Sequence, residues 1–218
     1  MRCRRKTSGR SLRMKSHCKI PVALIVASLQ IAVALAQPKA PEKAPEKAKA
    51  PDPAVVAAKA KFEQTKVAAE KGDALAQLEL GELYYQGKGT GRDFAEAMKS
   101  YQKAATQGNV LAEANVGWMF ERGLGAGADP KQAMEWYAKA AQKGHVEAQV
   151  NLAEIYYNQK GLPKRDYTNA FYWYNIAAGL GHKEAKTFVP RMQVLLTAEE
   201  KTQSELRAKT WLDAYKKK

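Results

Sequence analysis

Three stretches with one shared pattern decide the fold: YQKAATQG at 101–108, YAKAAQKG at 137–144 and YNIAAGLG at 174–181. Their first residues lie 36 and 37 positions apart. The same interval relates further alanines and aromatic residues: Ala76, Ala112, Ala148 and Ala185; Tyr84, Phe120 and Tyr156; Ala97, Ala133 and Ala170. Several residue types that return at one interval predict a repeat array, in which each unit packs on the next.

Each repeat unit has the periodicity of two helices. Apolar residues recur every three or four positions, as at Ala76, Leu80, Leu83 and Tyr84, which is the period of a helix with one buried face. We expect the first helices at 74–86, 110–122 and 146–158, and the second helices at 94–107, 130–143 and 167–179.

Capping residues and glycines support these boundaries. The N-cap candidates of the second helices are Asp93, Asp129 and Asp166. A glycine follows each of these helices, at Gly108, Gly144 and Gly181, and Gly72 likewise ends the segment before the first repeat. Pro130 fits the first position of its helix, where no N–H is needed. Gly81 and Gly117 lie inside helices at a cost of about 1 kcal/mol each, so we expect a neighbouring helix to approach there too closely for a side chain.

The repeat unit resembles a known family. The segment LGELYYQGKGTGRDFAEAMKSYQKAATQG, residues 80–108, is similar to a Sel-one-like repeat, a longer relative of the tetratricopeptide repeat. The resemblance covers 74–182 in three repeats, with Ala153 in place of the usual mid-helix glycine. It implies an all-α, right-handed α/α solenoid of about three helix-pair repeats of 36–37 residues with flanking capping helices.

The ends of the solenoid need capping helices, because an array exposes an apolar face at each end. We assign residues 54–196 to the solenoid, and expect Pro190 to kink or interrupt the last repeat helix. A C-terminal capping helix is predicted at 197–218, since Thr197 and Glu200 match a capping box. Its predicted apolar stripe consists of Leu206, Trp211, Leu212 and Tyr215.

The N-terminal segment predicts export. Residues 1–36 hold eight bases and no acid, followed by an uncharged apolar run that ends in Ala34-Leu35-Ala36, the small-x-small pattern of a signal-peptidase site. Translation could also start at Met14, and an uncleaved membrane anchor remains the alternative. A cleaved leader and an uncleaved anchor both place the rest of the chain in the periplasm or cell envelope, with membrane contact only through an uncleaved leader. Residues 37–53 hold five of the nine prolines and predict an extended linker.

Composition argues against several functional classes. Both cysteines lie in the leader, and no carboxylate or histidine cluster has the spacing of metal ligands, so we expect no metal, no cofactor and no enzyme activity. His145 and His182 are a repeat feature, at the position of Asn109. The glycine-rich loops after the first helices lack the preceding strand of a phosphate-binding motif. The net charge is +14, of which the leader carries +8, and because export removes the chain from nucleic acid we expect no nucleic-acid partner.

The resemblance places a binding groove along the first helices. The exposed groove positions that it implies are Glu82, Tyr85, Gln86, Trp118, Glu121, Arg122, Glu154, Tyr157 and Asn158. This set carries a net charge of −2, although the chain beyond the leader carries +6. Trp118 stands where the flanking repeats have Glu82 and Glu154, so it is either a binding hot spot or a residue packed under a neighbouring helix.

The sequence therefore predicts an exported scaffold or adaptor that binds other proteins. Regulation of a membrane signalling or envelope-assembly complex fits such a scaffold. The groove suits a basic protein segment that carries an apolar anchor. One alternative is an envelope-polymer-binding protein that acts through its basic charge. A hydrolase, the remaining alternative, has no motif to support it.

Overall fold

The computed structural model describes residues 52–217, and the regular structure in this range is entirely helical. The nine α-helices are α1 Pro53–Glu70, α2 Ala74–Gln86, α3 Phe94–Thr106, α4 Val110–Arg122, α5 Pro130–Gln142, α6 Val146–Asn158, α7 Tyr167–Gly179, α8 Lys183–Met192 and α9 Ala198–Tyr215. A short 3₁₀ helix, Gln193–Leu195, joins α8 to α9. Each repeat helix packs mainly on its neighbours in the chain, which is the contact pattern of a solenoid. The predicted fold class and helix pairs are confirmed.

The three repeats are the pairs α2 with α3, α4 with α5 and α6 with α7. The first helices have the predicted bounds, and the second helices begin where predicted and end within one residue of the prediction. The buried core consists largely of alanines between large aromatic residues, among them Tyr137, Phe171 and Tyr174. Small side chains let the helices approach closely, and the aromatic rings then supply most of the apolar area that is buried.

Side chains cap the helices as predicted. The carboxylate of Asp93 accepts hydrogen bonds from the N–H groups of Ala95 and Glu96 at 3.0 Å, and Asp129 and Asp166 cap their helices in the same way. The stop glycines Gly72, Gly108, Gly144 and Gly181 all have positive φ angles, between 85° and 102°. Such angles strain a residue that has a Cβ, which explains glycine at these turns.

The two repeat histidines are also N-caps. Nδ1 of His145 accepts the N–H of Ala148 at 3.1 Å, and Nδ1 of His182 accepts the N–H of Ala185 at the same distance. The Asn109 side chain caps the equivalent helix of the preceding repeat. These histidines therefore cap the helices that follow them. Within residues 52–217 no group of three or more histidine, aspartate or glutamate side chains could hold a metal ion.

The mid-helix glycines lie against tyrosine rings. A Cβ on Gly81 would lie 2.5 Å from the ring of Tyr101, and a Cβ on Gly117 would lie 2.8 Å from the ring of Tyr137. Carbon atoms in van der Waals contact are about 3.5–4.0 Å apart, so an unshifted backbone has no room for even a methyl group. The prediction of a close helix approach is confirmed at both positions.

The capping helix α9 packs on α7. The Thr197–Glu200 capping box is present. Leu206 does not belong to the buried stripe, since 64% of it is exposed. The buried face runs through Ser204 and Ala208 to Trp211 and Leu212, and Leu206 lies two positions, about 200° of helical turn, from Ser204. The prediction was therefore wrong for Leu206.

Pro190 lies in the last turn of α8, which continues only to Met192 before the chain tightens into the 3₁₀ helix. A proline cannot donate the backbone hydrogen bond that would extend this helix.

The predicted signal peptide, residues 1–36, and most of the predicted linker lie outside the described residues. Among the helices in the described part of the chain, none combines the length and the apolar character needed to span a membrane.

Candidate functional site

The predicted groove contains a pocket between the first two repeats. It has a volume of about 350 Å³ and is lined by residues from α2, α3 and α4: Glu82, Tyr85, Gln86, Tyr101, Asn115 and Trp118. Four of the nine predicted groove residues, Glu82, Tyr85, Gln86 and Trp118, are thus brought together. Sequence analysis missed Tyr101, which it assigned to the repeat pattern, and Asn115.

Trp118 has both of the roles considered for it. It is half-buried and packs against the hydrophobic core on either side of α4, yet part of the ring lines the pocket. Tyr85 meets it edge to face, with ring centroids 5.5 Å apart. The guanidinium group of Arg122 lies 5.4 Å from the centre of the Trp118 ring. These contacts hold the tryptophan ring in a fixed orientation as one wall of the pocket.

Tyr101 forms part of the pocket lining. Only 4% of its surface is exposed. Burial, and then the nearby Glu82 carboxylate, raise the pKa of the Tyr101 hydroxyl, which therefore stays protonated and can donate a hydrogen bond. Among residues 52–217 this hydroxyl forms no hydrogen bond, and Glu82 forms no ion pair. The pocket therefore contains a donor and a carboxylate that a ligand can use.

Glu121 is already engaged by other residues of the chain. Its Oε2 accepts a hydrogen bond from the Tyr137 hydroxyl at 2.9 Å, and its Oε1 lies 2.6 Å from Nζ of Lys160. Lys160 was not in the predicted groove, and its charge offsets one of the three predicted acids. Burial is the main cause of a raised pKa at Glu154, which Lys160 partly opposes. Of the three predicted acids, Glu82 is the one that lines the pocket.

The remaining predicted residues lie further along the groove. The ring of Tyr157 packs on that of Tyr167, with centroids 5.7 Å apart. Asn158 is exposed at the end of α6. Neither residue lines the pocket between the first two repeats.

The glycine-rich loops contact the preceding repeat. A Cβ on Gly125 would collide with the carbonyl group of Phe94, at the start of α3. The loop backbone therefore packs directly on the neighbouring helix. Close packing accounts for this glycine without a phosphate ligand.

Comparison with known proteins agrees with the repeat boundaries. The family model of the Sel1 repeat matches residues 74–109, 110–145 and 146–182. The chain belongs to the Sel1 repeat family. Sel1 repeats form protein–protein interaction scaffolds, and they are typically non-catalytic. No curated protein has a significant sequence match to this chain.

Two solved structures are similar to this Sel1 repeat chain. A protective antigen of uropathogenic Escherichia coli strains that displays an SLR fold is 33% identical, with a TM-score of 0.63, over 71% of this chain and 33% of the antigen. A Sel1 repeat protein from Oxalobacter formigenes is 30% identical, with a TM-score of 0.59, over 73% of this chain and 64% of that protein. The chain thus spans less than two thirds of either relative.

Proposed function

We propose that this protein is an exported scaffold of the cell envelope, and that its groove binds a basic segment of a partner protein beside an apolar anchor. The observation that carries the proposal is the pocket between the first two repeats. Two half-buried aromatic rings, Tyr85 and Trp118, form its walls, and Glu82 supplies a negative charge beside them. Aromatic residues in concave, partly desolvated positions are common hot spots of protein interfaces.

Site-specific crosslinking tests the binding surface. A photoreactive amino acid at Gln86, which is exposed and lines the pocket, should capture a partner in the native cell envelope. The same group at Lys209, exposed on α9, should not capture it. Trp118→Ala should abolish the crosslink formed from position 86.

Trp136→Ala is the matched control, because Trp136 is also half-buried but lies on α5 and does not line the pocket. Equal capture by the Trp118 and Trp136 variants would refute binding in the groove. The scaffold function would then need another surface.

Export rests on the basic and apolar segment at residues 1–36. Mass spectrometry of the mature protein should find an N-terminus at Gln37, in a periplasmic fraction. An intact leader in a membrane fraction would support the anchored alternative. Full-length protein in the cytoplasm would contradict export.

Binding of an anionic envelope polymer is the second candidate, which the charge of +6 beyond the leader favours. Such binding should weaken steeply as ionic strength rises, because exposed charges are screened. It should also be insensitive to Trp118→Ala. A segment anchored at Trp118 would show the opposite behaviour in both assays.

A further inference from the structure

The groove has three successive junctions that share one backbone arrangement. Each junction has a buried tyrosine from a second helix and, facing it, one position of the following first helix. The tyrosines are Tyr101, Tyr137 and Tyr174, and the facing residues are Asn115, Asn151 and Phe188. We number these junctions 1 to 3. Because the backbone repeats, differences in side chains decide which junction is open.

At junction 2 a lysine of the chain itself pairs with an acid of the groove. Lys160, in the loop after α6, places Nζ 2.6 Å from one carboxylate oxygen of Glu121. The Tyr137 hydroxyl donates to the other oxygen at 2.9 Å. The ammonium group of Lys160 therefore lies against a carboxylate that also accepts a hydrogen bond from a buried tyrosine hydroxyl.

Junction 3 is closed by an aromatic ring. Phe188 stacks on Tyr174 with ring centroids 5.4 Å apart and an interplanar angle of 5°. The ring occupies the position that Asn115 and Asn151 hold at the other junctions.

Junction 1 contains the pocket of about 350 Å³. Its loop residue equivalent to Lys160 is Leu124. The backbone is the same at both positions, since the N–H of Leu124 donates to the carbonyl of Met119 at 2.9 Å and the N–H of Lys160 donates to the carbonyl of Ile155 at 3.2 Å. The Leu124 side chain packs on the core and carries no charge. No lysine of the described chain takes the place at junction 1 that Lys160 takes at junction 2.

We propose that junction 1 binds the side chain of a lysine from the partner segment. Its carboxylate is that of Glu82, one helical turn before Tyr85, which stands where junction 2 has Glu121. This inference rests on the proposed function and names the residue that the groove recognises. The Glu82 carboxylate, the Tyr101 hydroxyl and the amide oxygens of Gln86 and Asn115 supply acceptors for the ammonium group. The aliphatic stem lies against the ring of Trp118, as lysine stems do on apolar surfaces.

Lysine fits this junction better than arginine for two reasons. The side chain that fills junction 2 is a lysine. In addition, the Arg122 guanidinium already lies over the Trp118 ring, at the stacking position that a second guanidinium group would use.

The pocket can be probed with a single amino acid. Nα-acetyl-lysine methylamide should shift the NMR signal of the Trp118 indole N–H saturably at low salt. The Nε-acetylated derivative, which has the same stem without the charge, should bind at least about tenfold more weakly, because a hydrogen-bonded charge contributes more than about 1.4 kcal/mol. Equal affinities of the two compounds would overturn the inference.

Two variants locate the binding. Glu82→Gln should reduce the affinity for the lysine compound about tenfold, whereas Glu135→Gln, which alters an exposed acid on α5 outside the pocket, should leave it unchanged. Leu124→Lys adds a positive charge at the loop position of Lys160, next to the groove, and should weaken binding by repulsion without altering a lining residue. Unchanged affinity in either Glu82→Gln or a folded Leu124→Lys, judged by circular dichroism, would contradict the proposal.

The outcomes separate the two proposals. If crosslinking from position 86 captures a partner but the lysine compound does not bind, the scaffold function stands and the lysine site is wrong. If the compound binds but no protein is captured, the lysine site stands and the proposed function is wrong.

Discussion

Replacement of the three junction tyrosines by phenylalanine should have unequal effects. Only the Tyr137 hydroxyl donates to a carboxylate, at 2.9 Å from Oε2 of Glu121. A hydrogen bond to a charged group contributes about 1.5–3 kcal/mol. Glu121 keeps its ion pair with Lys160 in the variant, so it is not left unpaired and the loss should lie near the lower limit. We expect Tyr137→Phe to lower the free energy of unfolding by about 1.5–2 kcal/mol.

The matched variant is Tyr101→Phe, because its hydroxyl makes no hydrogen bond to residues 52–217. We expect a change of less than about 0.5 kcal/mol. For a chain of this length 1 kcal/mol shifts Tm by about 2–4 °C, so Tyr137→Phe should lower Tm by about 3–8 °C. Both effects can be measured by thermal unfolding followed with circular dichroism.

A third variant, Tyr174→Phe, checks the explanation. The Tyr174 ring stacks on Phe188, and this stacking survives loss of the hydroxyl, so little change is expected. Equal losses in the Tyr101 and Tyr137 variants would refute the reasoning, since the cost would then follow from the repeat position and not from the bond to Glu121. Normal stability combined with weaker lysine binding in Tyr101→Phe would assign its hydroxyl to the ligand.

Three further variants test individual features of the fold. Gly117→Ala should lower the free energy of unfolding by up to about 2 kcal/mol in urea, because the Cβ meets the Tyr137 ring and overpacking outweighs the gain in helix propensity; an unchanged midpoint would mean that the ring yields freely. Gln159→Gly should raise the free energy of unfolding by about 0.5 kcal/mol and increase Tm. Gln159 has a φ of 62° that glycine adopts without strain, and this relief exceeds the exposed hydrogen bond that its side-chain amide donates to the Pro163 carbonyl at 2.9 Å; a lower Tm would contradict this. His145→Ala should cost about 1 kcal/mol of unfolding free energy, whereas His145→Asn should be neutral, as Asn109 caps the equivalent helix; equal losses in these two variants would argue against the cap.

The sequence predicted the repeat scaffold well because each helix is represented three times. A boundary signal such as Asp93 is weak alone, but its recurrence at Asp129 and Asp166 fixes both the start and the interval. The mid-helix glycine was informative in the same way, since its cost in helix propensity had to be offset by close packing. Tyr101 and Tyr137 provide that packing.

The groove was less predictable because its contacts join distant parts of the chain. Lys160 reaches Glu121 across 39 positions. Whether a loop lysine folds back or extends into solvent depends on the stacking of repeats, which no local pattern records. Leu206 shows the same limit at the C-terminus. It is one of the apolar residues of α9, yet its position on the helix turns it away from α7.

Differences between the junctions come from the residues that depart from the repeat pattern. The shared residues build three similar junctions, and a shared residue cannot distinguish one junction from another. Lys160 and Phe188 contact the polar or aromatic groups of two junctions, while the third contains the pocket and has the uncharged Leu124 at the position of Lys160. A residue in a loop, as at junction 2, or in a helix, as at junction 3, can thus occupy a junction with the chain's own side chain. Leu124→Lys is expected to weaken partner binding, because it adds a positive charge in the loop next to Tyr85 without altering the helices that form the pocket.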